Sequence, residues 1–486
     1  MTGPPTLLER LREHAALRAD ATALESDRIR MSYAELDRDV RRLAGGVARL
    51  GIAPGAIVAI VVRGEVDHLL ATLGLMAHGV AQVALSTRDP PTARGALAGR
   101  IGVTHVVGDG PADALPGLPW IPMDALRAAA DAPSPAPEGR GDAPGTAMLY
   151  LTGSGTTGLP KIVRYTERDL AGHAARDYAR ARVGRVLRLA HVEFNNAKRM
   201  RLYTLWHGGT CVLRDGAAGS IHALCDRHRV DWIELSVLQA GDLLDACRID
   251  GPLPDGTAIR VGGSRVPWTL RKALLAEATP ALYVTYGATE VAAVAIAEPA
   301  MHDAREAVGP ALAGVEVDVV REDGSPAATG EIGDIRIRAA GMARGYEGDA
   351  VASARHFRGG WFVPGDLASL TEDGLVCLHG RKDDMMNVNG INVFPAEIER
   401  VLESHPAVAC AAAMPLRSIV HGQIPVAAVE LRAGCACTPA ELVRHARAAL
   451  GMRAPRAVTI LAALPRNAQG KIVKREIAGL AGASGC

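Results

Sequence analysis

The stretch LTGSGTTGLPK, residues 151–161, is the most informative segment of this chain. An apolar run over residues 147–151 leads into glycines, a serine and threonines, and the segment closes on Pro160 and Lys161. Bare backbone N–H groups, hydroxyl donors and one cation are what a polyphosphate needs. A Walker loop would end in Gly-Lys-Ser/Thr, so this segment predicts a phosphate-binding loop of another kind. Taken alone, it also fits an ordinary surface loop rich in glycine and threonine.

Helical and strand-like segments alternate on the N-terminal side of this loop. Apolar residues recur with helical spacing over 7–19 and 33–50, whereas AIVAIVV at 56–62 is typical of a buried parallel strand. A helix predicted over 65–78 separates that strand from a second one over 80–85. This rhythm predicts a doubly wound α/β domain.

The pattern changes twice on the C-terminal side. Residues 315–338 contain short strands broken by glycine turns, which predicts an antiparallel β region. Beyond Arg381 we predict a helix, two strands and a helix, over 395–405, 407–414, 425–431 and 439–450. We therefore expect two domains: a large N-terminal α/β domain with a β region, residues 1–381, and a small mobile α+β domain, residues 382–486.

Composition excludes several classes of function. The 54 Lys and Arg residues nearly balance the 53 Asp and Glu residues, so no electrostatic signature of a nucleic-acid-binding protein is present. The most apolar window, residues 69–85, is too interrupted by polar residues for a membrane span. The N-terminus lacks the apolar core of a signal peptide and the eight cysteines are scattered, so we expect a cytoplasmic protein. His222, Cys225 and His228 have helical spacing but no fourth ligand, which favours an ordinary amphipathic helix over a metal site.

Four further motifs follow the loop in the chain. They are YGATE at 286–290, GWFVPGD at 360–366, GRKDD at 380–384 and LPRNAQGK at 464–471. Each has an ordinary explanation when taken singly: a turn at a strand end, a solvated aspartate, a charged linker between domains, and an exposed lysine.

Together and in this order, the five motifs resemble the acyl-adenylate-forming (ANL) superfamily. Its members include acyl-CoA synthetases, aryl-acid adenylating enzymes, peptide-synthetase adenylation domains and luciferases. The resemblance runs from SYAEL at 32–36 to Lys471 and departs at Ile162 and Val284, where glycine and asparagine are usual. It implies ATP-dependent activation of a carboxylic acid to acyl-AMP with release of pyrophosphate, followed by transfer to an acceptor thiol.

The resemblance assigns the nucleotide site residue by residue. The β- and γ-phosphates would be cradled by Ser154, Gly155, Thr156, Thr157, Gly158 and Lys161. Tyr286 would pack beside adenine and Thr289 would contact the α-phosphate. Glu290 would hold Mg²⁺, whose charge neutralises the departing pyrophosphate.

The same resemblance assigns the remaining catalytic parts. Asp366 would accept both ribose hydroxyls, with Arg381 beside it, and Asp383 would be the hinge about which the small domain alternates. Lys471 would reach both the acyl carboxylate and the α-phosphate. Because two anions must approach each other in that step, a cation between them stabilises the developing charge.

Four positions match the acyl pocket of the family: Asn195, Arg199, Gly262 and Thr285. Members that activate α-amino acids hold an aspartate for the substrate ammonium where this chain has Asn195, and an amide cannot supply that charge. We therefore expect a small aromatic acid. Arg199 would meet a second acidic group on the substrate, unless Lys198, Arg199 and Arg201 all point to solvent.

The acceptor is expected to be a separate molecule, because no carrier-protein signature follows Lys471. CoA is the expected acceptor, and a free carrier protein or a small nucleophile such as an amine is the alternative. A non-catalytic nucleotide-binding protein of the same fold is a hypothesis of another class. That hypothesis would be favoured by loss of Glu290, Lys471 or the loop, all of which are present.

Overall fold

The structure is a computed structural model, and it describes residues 4–132, 148–153, 160–177, 184–214, 219–388, 391–418, 422–467 and 470–477. The helices of this part are α1 Leu7–Leu17, α2 Tyr33–Arg49, α3 Glu65–Ala77, α4 Pro91–Ile101, α5 Met123–Asp131, α6 Glu167–Asp177, α7 Asn195–Trp206, α8 Ile221–His228, α9 Val237–Asp250, α10 Trp268–Glu277, α11 Ala350–His356, α12 Pro395–Glu403 and α13 Pro439–Leu450. The strands before residue 300 are β1 Thr22–Glu25, β2 Arg30–Ser32, β3 Ile57–Val61, β4 Ala81–Ala84, β5 His105–Gly108, β6 Trp120–Pro122, β7 Leu149–Gly153, β8 Lys161–Tyr165, β9 Arg185–Arg188, β10 Thr210–Val212, β11 Trp232–Ser236, β12 Ala258–Gly262, β13 Leu282–Ala288 and β14 Ala292–Ala297. The later strands are β15 Val315–Val320, β16 Gly333–Ala339, β17 Phe357–Arg358, β18 Trp361–Phe362, β19 Asp366–Leu370, β20 Val376–Arg381, β21 Met386–Val388, β22 Ile391–Val393, β23 Val408–Ser418, β24 Gly422–Leu431 and β25 Ala457–Leu461.

Two largely parallel sheets form the body of the protein. The first has the strand order β6-β5-β3-β4-β7-β8, and only β8 runs antiparallel to its neighbour. The second has the order β14-β13-β12-β11-β9-β10-β1-β2, with antiparallel strands at both edges. Helices connect successive parallel strands, as parallel pairing requires. This is the doubly wound arrangement that the alternating pattern predicts.

One apolar core joins the two sheets through the helices between them. It combines side chains of β3 and β7 with side chains of β1 and β10, and with the apolar faces of α2, α3 and α7. Helix α2 begins at a capping box in which Ser32 and Glu35 each accept from the other's backbone N–H. Helix α3 packs so closely on α2 that a Cβ atom at Gly74 would lie 2.7 Å from Leu43 Cβ. Glycine is therefore required at that contact.

A third, antiparallel sheet follows the second parallel sheet in the chain. Its order is β17-β18-β16-β19-β20, with β15 paired on β16, and its apolar side chains share a core with β11, β12 and β13. Strand pairing places Asp366 directly opposite Arg381. This register brings the two distant motifs at 360–366 and 380–384 to one point.

The C-terminal part has its own core. Strands β23, β24 and β25 form a three-stranded sheet, and α12 and α13 pack on it around fully buried Ile398, Leu402 and Leu442. The predicted fold class, a large α/β part with a β region and a small α+β part, is confirmed. Helix α12 ends at Glu403, before the predicted 405, and β23 extends beyond the predicted 414 to Ser418.

Residues 198–201 correct one alternative raised by the sequence. Lys198, Arg199 and Arg201 do not point to solvent, since they are 0%, 4% and 3% exposed. In the described part of the chain, no helix combines the length and the apolar character that crossing a bilayer requires.

Candidate active site

A cavity of about 950 Å³ opens at the carboxyl ends of the parallel strands β11, β12 and β13. Ends of parallel strands meet at one edge of a sheet, where ligands bind in open α/β folds. The wall contains three of the four predicted acyl-pocket residues, Arg199, Gly262 and Thr285, together with Thr289 and Lys471. Residues from five places in the sequence therefore meet around one space.

Gly262 ends β12 and opens the cavity floor. A Cβ atom at this position would lie 2.6 Å from Thr285 Cγ2 and 3.1 Å from Thr285 O. Such contacts do not occur between real atoms, so any larger residue at 262 would displace β13. The close approach of β12 and β13 explains why the floor carries glycine here.

The Asp366 carboxylate lies between two donors. The Tyr286 hydroxyl donates to Asp366 Oδ2 at 2.6 Å, and Arg381 Nη1 donates to Asp366 Oδ1 at 3.1 Å. Arg381 Nη1 also donates to Pro364 O at 2.7 Å, which fixes the turn before Asp366. Burial, reinforced by Asp366, raises the pKa of Tyr286, so its hydroxyl remains a donor. Tyr286, Asp366 and Arg381, which are predicted to contact adenine and ribose, therefore form one hydrogen-bonded group.

Lys161 is held by two residues that the motifs did not identify. Its Nζ lies 3.0 Å from His356 Nε2 and 4.8 Å from the centre of the Tyr346 ring. His356 Nδ1 lies 2.7 Å from Val363 O and must donate to it, so Nε2 is the nitrogen that accepts from the lysine. Burial lowers the pKa of Lys161, and Glu290 opposes that shift.

Tyr346 links this lysine to the predicted magnesium ligand. The ring lies under the Lys161 ammonium, and the hydroxyl donates to Glu290 Oε1 at 2.7 Å. Lys161 and Glu290 are thus positioned by one side chain. No motif pointed to Tyr346 or His356, because their contacts are with residues 56 and 195 positions away.

Two hydrogen bonds fix the main-chain carbonyl of Thr289. Tyr165 donates its hydroxyl to Thr289 O at 2.7 Å, and Arg199 Nη1 donates to the same oxygen at 3.2 Å. These bonds hold the 286–290 motif at the rim of the cavity.

Lys471 reaches the cavity from the C-terminal part of the chain. Asn467 shapes its turn: Oδ1 accepts from Lys471 N at 3.0 Å, and the Asn467 N–H donates to Lys471 O at 2.8 Å. Partial desolvation of the ammonium lowers the pKa of Lys471, while Asp366 and Glu290 act in the opposite direction. The lysine is thus close enough to the Asp366 and Glu290 groups to feel both charges.

A buried ion cluster joins α12 to the large α/β part. Arg265 donates to both oxygens of Glu306 at 2.8 and 2.9 Å and to Glu403 Oε2 at 2.8 Å. Glu306 and Glu403 are 6% and 3% exposed. Since Glu403 lies in α12, this cluster accompanies the arrangement in which Lys471 faces the cavity.

Some predicted residues lie elsewhere or outside the described part. Ser154, Gly155, Thr156, Thr157 and Gly158 are outside the described residues, although β7 and β8 bring Gly153 opposite Lys161 on either side of them. Asn195 is the first residue of α7, and its side chain is outside the described atoms. Asp383 lies on an exposed turn and accepts from Arg355 Nη2 at 3.2 Å.

The donor set around Glu290 fits magnesium better than a protein-caged metal. In the part of the chain that the structure describes, no group of three His, Cys, Asp or Glu side chains is placed to hold an ion. Mg²⁺ is bound by one or two carboxylates together with substrate phosphates, so one carboxylate beside a phosphate-binding lysine suits it. His228, considered above as a metal ligand, lies between two carboxylates: its Nδ1 is 2.9 Å from Glu25 Oε1 and its Nε2 is 3.0 Å from Asp27 Oδ1.

Comparisons with known proteins place the chain in a family. Residues 11–347 match the model of the AMP-binding enzymes, and residues 397–471 match the model of their C-terminal domain. The sulfoacetate–CoA ligase of Cupriavidus necator is 30% identical over 73% of this chain and 70% of its own length. The salicyl-AMP ligase/salicyl-S-ArCP synthetase of Mycobacterium tuberculosis is 29% identical over 92% of this chain and 85% of its own. Among solved structures, the o-succinylbenzoate CoA synthetase of Bacillus subtilis with its acyl-adenylate superposes with a TM-score of 0.86 at 23% identity, covering 98% of both chains.

The chain belongs to the AMP-binding enzyme family, and the predicted resemblance is confirmed. It is an ATP-dependent, AMP-forming acid ligase of the acyl-CoA synthetase type, which activates a carboxylic acid as acyl-AMP and uses ATP, Mg²⁺ and CoA or a carrier protein.

Proposed function

We propose that this enzyme activates a small aromatic carboxylic acid and transfers the acyl group to CoA. The observation that carries the proposal is the position of Lys471 in the wall of the cavity that also contains Thr289, Gly262 and Thr285. A cation from the C-terminal part thereby faces the space where an acid and an α-phosphate would meet.

In the first step an oxygen of the acid carboxylate attacks the α-phosphorus of ATP. A bond forms between that oxygen and phosphorus, and the bond to the β-phosphate oxygen breaks, so pyrophosphate leaves with its electrons. Lys471 stabilises the two approaching anions. Mg²⁺ would be held by Glu290, and when bound it neutralises charge on the pyrophosphate.

The nucleotide is positioned by the groups described above. Tyr286 lies against adenine, and Asp366 accepts from the ribose hydroxyls while Arg381 fixes its orientation. Thr289 contacts the α-phosphate. Lys161, together with Ser154, Gly155, Thr156, Thr157 and Gly158, binds the β- and γ-phosphates.

In the second step a CoA thiolate attacks the acyl carbon, the bond from that carbon to the phosphate oxygen breaks, and AMP leaves. The thiol proton is lost to solvent. We propose that residues 1–381 and 382–486 move as two bodies about Asp383 between these steps, so that Lys471 withdraws and the thiol approaches. A free carrier protein is the second candidate acceptor, because one relative is named a salicyl-S-ArCP synthetase.

Two features support a small acid. The floor of the cavity mixes apolar side chains, such as Met200 and Leu235, with charged ones. The names of the relatives include an aromatic acid, salicylate, and an acid with a second anionic group, sulfoacetate.

The test is an acid-dependent exchange of labelled pyrophosphate into ATP, screened over aryl, aliphatic and amino acids with Mg²⁺. We expect exchange with aromatic acids and CoA-thioester formation when CoA is added. Exchange with no acid at all, despite ATP binding, would instead favour the non-catalytic nucleotide-binding protein.

A further inference from the structure

Many charged side chains line the acyl cavity, and two arginines on its floor pair with carboxylates. Arg260 donates to both oxygens of Asp177, at 3.1 and 3.3 Å, and also to Glu234. Arg188 pairs with the same Glu234. Asp177 and Glu234 are therefore both paired with these guanidinium groups.

Arg199 is the exception on the same floor. It is 4% exposed, lines the cavity, and donates to a neutral acceptor, the carbonyl of Thr289, at 3.2 Å. The hydroxyl of Tyr203, also a neutral group, is its other hydrogen-bond partner. Its buried Nε has no hydrogen-bond partner. Among the described residues no carboxylate forms an ion pair with it, in contrast to Arg188 and Arg260.

A buried cation without a counter-ion is energetically costly, because the charge has lost its hydration and gained no ion pair. Arginine cannot escape this cost by losing its proton in a protein. Among the described residues the guanidinium of Arg199 therefore lacks an anionic partner, and it lines the cavity proposed to admit the substrate.

We propose that Arg199 binds a second anionic group on the acid, a carboxylate or a sulfonate, so that the substrate class is a small dianionic acid. This inference rests on the proposed function. The carboxylate that is activated faces Lys471 and Thr289, and the second anion lies against Arg199. Arg199 is then a specificity-determining residue, and the floor pairs around Glu234 and Asp177 keep its charge available because they bind the other arginines.

The first arm of the test uses the wild-type enzyme and pairs of acids that differ only in charge. Isophthalate is compared with 3-carbamoylbenzoate, and succinate with succinamate, in the pyrophosphate-exchange assay. We expect the dianion of the preferred pair to exceed its amide in kcat/KM by on the order of 10- to 100-fold, the range for a hydrogen bond between charged groups. A parallel comparison with 3-sulfobenzoate shows whether the second anion is a carboxylate or a sulfonate.

The second arm uses variants. Arg199→Met should abolish the preference, because kcat/KM should fall roughly 10- to 100-fold more for the dianion than for the amide, mainly through a higher KM for the dianion. Arg199→Lys should restore part of the preference. Arg248→Met is the control, because Arg248 pairs with Glu277 on the exposed face of α9 and α10 and should leave the ratio unchanged. ATP binding by calorimetry shows that each variant is folded.

Each contrary result has a distinct meaning. Equal use of the dianion and the amide by the wild-type enzyme would refute the anion site while leaving acid activation intact. An equal loss for every acid in Arg199→Met would mean that the guanidinium serves the α-phosphate and would also refute it. Exchange with none of the acids would overturn the proposed function together with this inference.

Discussion

Replacing Lys471 by alanine should separate the two half-reactions. In the structure the Lys471 ammonium lines the cavity beside Thr289 and is close enough to Asp366 and Glu290 for both to influence its pKa. It lies in the C-terminal part of the chain, which we propose moves between the two steps, so we expect the lysine to serve the first step alone. Loss of one preorganised charge at a reacting centre costs roughly 3 to 4 kcal/mol, which is about 10²- to 10³-fold in rate.

The assay measures each half-reaction by itself. The rate of acyl-AMP formation in a single turnover, measured as release of pyrophosphate, should fall by at least 100-fold in Lys471→Ala, which is the lower end of that range. Transfer from chemically synthesised acyl-AMP to CoA should proceed at close to the wild-type rate. Lys272→Ala is the matched control: this lysine is exposed on α10, and its removal should change either rate by less than about fivefold.

Two outcomes would refute the role of this lysine. Normal adenylation by Lys471→Ala would show that the cation does not stabilise the approaching anions. An equal loss of both half-reactions would show that Lys471 supports the fold or CoA binding, not the first step alone.

Three further expectations concern specificity and domain movement. Standard α-amino acids should be activated roughly a thousandfold less efficiently than aromatic acids, because Asn195 provides no counter-charge for a buried ammonium; faster exchange with any of them than with benzoate-type acids would contradict this. Asp383→Pro should leave adenylation within about tenfold of wild type while nearly abolishing transfer, because proline removes the second backbone conformation that a hinge needs. Asp383→Ala is its control, and equal loss of both steps would place the hinge elsewhere. Arg265→Met should slow adenylation about tenfold or more and spare transfer from supplied acyl-AMP. The reason is that Arg265 binds Glu403 of α12 only in the docked arrangement, where Glu403 would then be buried without its partner. Unchanged adenylation would show that the ion cluster does not stabilise docking.

The sequence predicts the elements of this fold well because its signals are local. The β-branched run at 56–62 becomes β3, and Ser32 with Glu35 caps α2 as the start of its apolar periodicity indicates. Helix α13 occupies the predicted residues 439–450 without change. What the pattern misplaces are ends: α12 stops at Glu403, where the side chain turns into the buried cluster around Arg265.

The residues of the candidate site also divide into those that motifs predict and those that only the fold brings together. Motifs identified Asp366 and Arg381 because each follows a glycine turn, and strand register then brought them together. The motifs did not predict Tyr346 and His356 as site residues. Their roles depend on contacts with Glu290 and Lys161, and no spacing in the sequence indicates these contacts.

The sequence also did not predict which charged side chains of the acyl cavity are buried and paired. Three basic residues at 198–201 are compatible with a solvated helix face, and only packing shows that they are buried. Packing also shows that Arg260 consumes Asp177 and Glu234, which leaves Arg199 without a described carboxylate partner. A pairing pattern of this kind depends on the whole floor of the cavity.

The central claim, that the acid is activated as acyl-AMP, is tested most directly by following one oxygen atom. The best acid from the exchange screen is labelled with ¹⁸O in its carboxylate and incubated with enzyme, ATP, Mg²⁺ and CoA. Attack of the carboxylate on the α-phosphorus, followed by cleavage of the acyl carbon–oxygen bond, transfers one ¹⁸O atom to AMP, and mass spectrometry should find AMP heavier by that single atom. Unlabelled AMP, or label in inorganic phosphate with formation of ADP, would contradict the account.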